Sequence, residues 1–239
     1  MAYDTDILIA GGGLNGLTLA LALRSAGFVV TLVDPLPREA RGREGFDGRS
    51  YALAIASQRV LSALDVWCDL PDIQPILGIK VTDGRAGEGP SPLMLTFDHA
   101  EIEEGPMGFM VEDRHLRPAL LTAAKKAGVT QIDKDRVASF ETDPAGVTVT
   151  LGSGKTIRAR LLVGCDGKES GVAKQAGITR TGWRYDQTAL VCAVAHEEPH
   201  HGIAHQFFMP PGPLAILPLT GNRASIVWTE RTRKAAEIQ

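Results

Sequence analysis

Cysteine is scarce in this chain, and the three present, Cys68, Cys165 and Cys192, stand too far apart in sequence for a CxxC metal or redox pair. A reducing, cytoplasmic setting is the expectation. Also missing is any run of the roughly 20 uninterrupted apolar residues that a bilayer crossing requires. The N-terminus carries Asp4 and Asp6 where a signal peptide would have a basic flank, and no small-residue cleavage site follows. Contact with lipid is therefore expected to be peripheral at most. Basic residues are not in excess: 25 Lys and Arg face 28 Asp and Glu, for a net charge of -3 and a pI near 6.1. That balance cannot neutralise a phosphate backbone, which sets nucleic acid aside as a partner. No internal repeat or low-complexity tract is present.

What is present is a globular composition, 44% apolar with 26 glycines, enough for one large or two modest domains. Residues 6–10 form a short apolar run that ends in a glycine cluster, and residues 28–34 form a second run rich in β-branched side chains. Both read as buried parallel strands. Between them Leu14, Leu17 and Leu21 recur at helical spacing and Gly27 supplies a stop, which completes a β-α-β unit.

A nicotinamide-only Rossmann domain would continue directly with further α-β units, and this chain does not. Residues 35–50 read as a loop dense in Arg, Gly and Pro, followed by a helix over 57–64 capped by Ser57. Strands are expected over 78–83 and 93–98, separated by the Gly- and Pro-rich stretch 84–92. A helix over 113–127 closes at Gly128, and Pro118 would interrupt it unless it lay in the first turn. Runs at 136–141, 147–151 and 156–157 read as a β-meander, and 159–164 as a buried strand running into Cys165-Asp166-Gly167. From residue 182 onward, alternation over 188–195, 205–209, 214–217 and 224–228 suits an antiparallel sheet, and 230–239 reads as the start of a charged helix.

The chemistry-bearing pattern is Gly11-x-Gly13-x-x-Gly16, set between a strand and a helix, with Asp34 closing the next strand 18 residues after Gly16. Gly11 permits the tight turn, Gly13 lets backbone approach a pyrophosphate, and Gly16 lets helix and strand pack closely. Leu14 and Asn15 complete the loop and are counted with it. Asp34 would accept from both hydroxyls of an adenine ribose and repel a 2'-phosphate, which favours FAD or NAD over NADP at this site. His196, His200, His201 and His205 lack metal-ligand spacing, so no metal is expected. Trp183, Phe207, Phe208 and Trp228 are read as sheet packing.

The stretch from Gly164 through Asp166 and Gly167 to Ser170 resembles the Asp-Gly motif of the p-hydroxybenzoate hydroxylase superfamily, usually written GADGxxSxxR, with Cys165 in place of alanine and Ala173 in place of arginine. Without the resemblance, Asp166-Gly167 is a strand-ending turn. The segment Asp47-x-Arg49-x-x-Ala52-Leu53 with Ser57 and Trp67, and the segment Val111-Glu-Asp-Arg-His-Leu-Arg117, are similar to segments of the ubiquinone-biosynthesis hydroxylases. The resemblance implies an α/β fold: a Rossmann-like FAD-binding domain with a β-meander, plus part of an antiparallel-sheet substrate domain. The FAD-binding segments would be 1–77 and 111–181, and the substrate-domain segments 78–110 and 182–239.

It further implies Asp166 and Gly167 near the flavin, Arg49 on a loop beside it, Arg117 holding the pyrophosphate and the Val137 backbone meeting adenine. A bidentate guanidinium suits a diphosphate. The implied cofactors are FAD, with NADPH as co-substrate. The implied reaction is hydroxylation of a polyprenylated phenol in ubiquinone biosynthesis, a substrate that suggests work at the inner-membrane surface or within a multiprotein assembly. No acid-base residue is assigned. Alternatives are a FAD-dependent dehydrogenase or prenyl reductase, a hydroxylase of soluble aromatics, and a non-catalytic truncated flavoprotein. The family's third signature, a Gly-Asp motif, does not occur by residue 239, so this stretch alone is expected to be inactive and to hold FAD weakly or not at all.

Overall fold

The apolar run before the glycine cluster is a strand, β1 (Thr5–Ala10), followed by α1 (Leu14–Ser25) and β2 (Val30–Asp34). The computed structural model in which they are seen describes residues 2–42, 45–85 and 87–239. Phe28 and Val29, expected within the second strand, precede it and are nearly half exposed. The stretch 35–50, expected to be loop, contains α2 (Arg38–Arg41) and reaches β3 (Ser50–Leu53); residues 43 and 44 lie outside the described residues. Next comes α3 (Ile55–Ala63), which begins before Ser57, so that serine is not its cap.

An unanticipated strand, β4 (Gln74–Ile76), precedes the hairpin of β5 (Gly78–Arg85) and β6 (Gly89–Asp98). Most of the expected separator 84–92 is therefore strand, and its residue 86 lies outside the described residues. After β7 (Gly108–Glu112), helix α4 (Asp113–Lys126) runs through Pro118 beyond its first turn. Proline forfeits a backbone hydrogen bond there. Leu116, Leu120, Leu121 and Ala124, buried at helical spacing, supply packing that offsets the loss.

The chain continues with β8 (Thr130–Asp133), β9 (Val137–Asp143), β10 (Gly146–Leu151) and β11 (Thr156–Gly164), the last a single strand where two were expected. A short helix, α5 (Gly171–Gln175), was not anticipated. It is followed by β12 (Gln187–Ala195), β13 (Ile203–Met209), β14 (Gly212–Leu219), β15 (Arg223–Arg231) and α6 (Thr232–Ile238).

Two compact units result. Unit 1 takes Met1–Glu44, Leu61–Asp69 and Leu116–Gly182, and unit 2 takes Gly45–Val60, Leu70–His115 and Trp183–Gln239. Against the expected segments, residues 45–60, 70–77 and 111–115 fall in unit 2 rather than with the FAD-binding segments, and residue 182 falls in unit 1.

Unit 1 is built on a sheet of order β8-β2-β1-β11-β10-β9, parallel from β8 to β11 and antiparallel through the meander. Leu8, Ile9 and Leu32 are fully enclosed in it, as continuous apolar runs in parallel strands should be. Each such side chain stabilises by about 1.5–3 kcal/mol. The carboxyl ends of β1, β2 and β11 lie side by side, the place where open α/β sheets bind ligands.

Unit 2 carries a sheet of order β12-β15-β14-β13-β5-β6 and a small sheet of order β3-β7-β4. Its core gathers Ile76, Met110, Ala204 and Leu219. The expectation of a purely antiparallel sheet is corrected at one point, because β13 runs parallel to β5. That pairing joins segments far apart in sequence, so no local turn signal announces it. Phe207 and Trp228 are partly buried on their strands, but Trp183 and Phe208 are largely exposed and do not pack as expected.

Candidate functional site

The site grows from the end of β1. Cys165 donates its N–H to Ala10 O at 2.7 Å, and Gly11 donates to Val33 O at 2.8 Å, so the loop leaving β1 is pinned between the ends of β11 and β2. Gly11 adopts a left-handed φ of 103°, and a Cβ there would lie 2.2 Å from Cys165 O. A Cβ on Gly16 would lie 1.9 Å from Gly11 O, so only glycine lets α1 start this close to the strand. Gly13 differs: nothing lies within 4 Å of its Cβ position. It is the N-cap of α1, whose first turn, with Leu14 and Asn15, has no side-chain cap and no acidic residue. Open space beside Gly13 at a helix start without a side-chain cap, where the dipole is positive, is an arrangement suited to a diphosphate.

Asp34 ends β2 with its carboxylate turned toward this loop. Oδ2 accepts from Gly12 N–H at 2.6 Å and Oδ1 from Leu36 N–H at 2.8 Å. Beside it lies Arg41, which sequence reading did not single out. Arg41 Nε is 3.7 Å from Asp34 Oδ1, Nη1 donates to Gly12 O at 3.1 Å, and Nη2 pairs with Asp133. Nothing in the local pattern separates Arg41 from Arg38, its neighbour in the same basic stretch.

A cavity of about 480 Å³ opens at the carboxyl ends of these strands, lined among others by Gly11, Val33, Val137, Ala138, Asp166 and Gln175. That volume falls within the range of ordinary ligand pockets. Val137 pairs with Leu151 and Ser139 with Thr150, which leaves Ala138 as a bulge at the rim. Ala138 O accepts from Gln175 Nε2 at 2.7 Å, tying the rim to α5.

Asp166 lines the same cavity and also braces the start of α5, whose N-cap is Ser170. Its carboxylate accepts from Ser170 Oγ and from the N–H groups of Gly171 at 2.7 Å and Val172 at 3.2 Å. Burial opposes its charge, but the Ser170 and backbone hydrogen bonds outweigh that and hold it below the ordinary value of 3.8. Gly167, at φ 88°, makes the left-handed turn between strand and cap. The adjacent Cys165 thiol is pushed up by burial and then by the Asp166 charge, so it is no ready nucleophile.

A carboxylate with a lowered folded pKa contributes stability that is present above its unfolded value and lost as pH falls through the folded value. Asp166→Asn is therefore expected to cost up to about 1 kcal/mol at neutral pH, because a neutral amide cannot replace the charge-assisted hydrogen bonds of the carboxylate. The difference from the parent should vanish as acid titrates the group below 3.8. Urea denaturation across a pH series reads this directly.

Arg49 and Arg117 are not among the residues lining that cavity. Arg49 belongs to unit 2, where Nη2 lies 2.6 Å from Asp47 and 3.1 Å from the buried Asp113. The hydrogen bond from Asp47 raises its pKa against the opposing effect of burial, and the Asp113 charge adds to the rise. Two carboxylates thus already share this guanidinium. Arg117 sits half-buried just past the first turn of α4, in unit 1. His200 is held structurally, with Nε2 within 2.8 Å of Leu219 O and Nδ1 accepting from Gly202 N–H.

Residues 4–237 match the family model described as FAD binding domain. The chain belongs to that family. Relatives of this FAD binding domain chain include "Ubiquinone hydroxylase UbiL" of Rhodospirillum rubrum, 47% identical over 229 residues that cover 95% of this chain and 52% of that protein. Another is the "3-demethoxyubiquinol 3-hydroxylase" of Escherichia coli, 32% identical over 98% of this chain and 60% of its own length. The chain thus spans 52–60% of the length of these two relatives. Among solved structures, PqsL of Pseudomonas aeruginosa in complex with 2-aminobenzoylacetate superimposes with a TM-score of 0.79 at 23% identity, over 98% of this chain and 62% of that one. HpxO of Klebsiella pneumoniae complexed with FAD gives 0.75 at 18% identity, over 95% of this chain and 57% of that one. At these identities the two structures establish a shared fold.

Proposed function

We propose that this chain provides the dinucleotide-holding part of a FAD-dependent monooxygenase that hydroxylates a polyprenylated phenol in ubiquinone biosynthesis. The observation that carries the reading is the junction of β1 and α1, where Gly11 and Gly16 are locked by backbone while the space over Gly13 and the uncapped first turn is open. An adenine dinucleotide fits these residues. The first-turn N–H groups would hold the diphosphate, Asp34 would accept from the ribose hydroxyls, and the Val137 and Ala138 rim would border the adenine. Asp166, which lines the same cavity, and the adjoining Gly167 would lie toward the flavin. Arg117 and Arg49 are assigned to the pyrophosphate and the flavin edge on the family resemblance.

When bound, FAD reduced by NADPH supplies the activation of dioxygen that inserts one oxygen atom into an electron-rich ring. Two relatives, named as a ubiquinone hydroxylase and a 3-demethoxyubiquinol 3-hydroxylase, support this substrate class. On this reading unit 1 holds the cofactor and the unit 2 sheet, with the segments 78–110 and 182–239, serves the substrate. No helix among the described residues is long and apolar enough to cross a membrane. A substrate with a polyprenyl tail is then met by docking at the membrane surface or within an assembly.

Calorimetric titration with ADP and with FAD tests the first half of the proposal. Saturable binding of ADP, with FAD held no more than weakly, is the expected result, and heats with ADP no larger than those of dilution would overturn it. The second half is tested by supplying NADPH and labelled dioxygen to an enzyme of the relatives' full length that contains this stretch. Label should enter a prenylated phenol in preference to the free phenol, and equal labelling of the two would remove the prenyl assignment.

A further inference from the structure

Arg41 is enclosed in unit 1 with a side chain only 2% exposed, too deep to touch a ligand itself. Its three nitrogens nevertheless reach three different elements of the candidate cradle. Nη1 donates to Gly12 O in the glycine loop, Nη2 pairs with Asp133 at the end of β8, and Nε faces Asp34 at the end of β2 without a hydrogen-bond acceptor of its own. Asp34 and Asp133 are direct partners in the parallel ladder of β2 and β8. Two like charges opposite one another on adjacent strands repel. Arg41 is the buried cation between them, and without it the Asp34 carboxylate would be driven from its place beside Gly12.

Gly12 shows how closely the arrangement is fitted. A Cβ at Gly12 would lie 2.2 Å from Arg41 Nη1 and 2.8 Å from Leu32 Cδ2, so the middle glycine of the loop is small because the guanidinium rests against it. The Asp34 carboxylate is thus held on one side by the Gly12 N–H and on the other by the Arg41 charge, and Arg41 simultaneously holds the Gly12 carbonyl. The two peptide groups on either side of the Gly12 Cα are thus tied to the acidic strand end, one directly and one through Arg41.

We propose that Arg41 is the positioning residue for adenosine recognition, fixing the Asp34 carboxylate and the Gly12 peptide together in the arrangement that selects a ribose over a deoxyribose. The inference rests on the reading of this site as an adenine-dinucleotide cradle. It concerns a residue that acts through another, so a general weakening of binding is insufficient support. What distinguishes positioning from mere scaffolding is discrimination at the sugar.

The test compares ADP with 2'-deoxy-ADP by calorimetry on the parent chain and on Asp34→Ala, Arg41→Met and Arg41→Lys, with circular dichroism to establish folding. The parent should prefer ADP by about tenfold, the equivalent of one good hydrogen bond at a fixed partner. Asp34→Ala and Arg41→Met should each reduce that preference to near unity, and combining them should reduce it no further. Arg41→Lys keeps a cation between the two aspartates but lacks the planar fork. It should fold and retain only part of the preference.

If Arg41→Met weakens both nucleotides by the same factor, Arg41 is scaffolding and the proposal is wrong. Full preference in a folded Arg41→Lys protein, or failure of both Arg41 variants to fold, overturns it as well. A parent chain that binds neither nucleotide is a different failure, since it removes the dinucleotide reading and this inference with it.

Discussion

Alanine at position 16 is expected to unfold unit 1 or destabilise it by more than about 3 kcal/mol, the upper range for overpacking a tight site, whereas alanine at position 13 should leave the melting temperature unchanged and abolish ADP binding. The contrast follows from what each added methyl meets. At Gly16 it would fall 1.9 Å from the Gly11 carbonyl oxygen, backbone that cannot turn aside. Gly11→Ala should behave similarly, because its methyl would strike the Cys165 carbonyl and its φ of 103° disfavours any side chain. At Gly13 the φ of -72° suits alanine and the space is empty. The methyl would occupy only the volume needed by an approaching phosphate. Thermal denaturation beside ADP calorimetry separates the two effects. Intact ADP binding by Gly13→Ala would show that the diphosphate does not approach there.

The second large effect is expected at Glu112. Its carboxylate, 1% exposed, receives Arg114 Nε at 2.6 Å and Arg223 Nη2 at 2.7 Å, and both guanidinium groups lie over the Phe46 ring. Replacing both arginines with methionine strands a buried charge, which costs about 3–5 kcal/mol. Either replacement alone should cost roughly 1 kcal/mol, because the remaining arginine still neutralises Glu112 and the lost one was partly hydrated. The double variant should therefore exceed the sum of the singles, a coupling readable in a urea double-mutant cycle. Strict additivity would mean that the two arginines do not share one carboxylate.

How much of this could be read in the chain depended on whether the cause was local. The glycine loop was legible because its spacing encodes a turn, a close approach and a helix start within six residues. Asp34 was legible for the same reason, as the polar end of an apolar run. The meander showed in its turns at residues 144–146 and 152–154. Arg41 was not legible, because its partners Gly12, Asp34 and Asp133 converge only through the sheet, and α2 is too short to show periodicity. Strands β3, β4 and β7 are likewise short, and they become strands by pairing with one another rather than by alternation. The bracing role of Asp166 follows from α5, whose five residues likewise give no periodic signal.

The strand order of unit 1 has a kinetic consequence. β1 takes its central neighbour from β11, which ends at Gly164, and β2 takes its outer neighbour from β8. During translation the β1-α1-β2 segment must wait, with Ile7, Leu8 and Ile9 uncovered on one side, until β11, more than a hundred residues later, has left the ribosome. Such non-local closure is slow and exposes apolar edges to wrong partners. Yield from a cell should consequently respond to elongation rate and to holdase chaperones more strongly than the finished protein's resistance to urea would suggest.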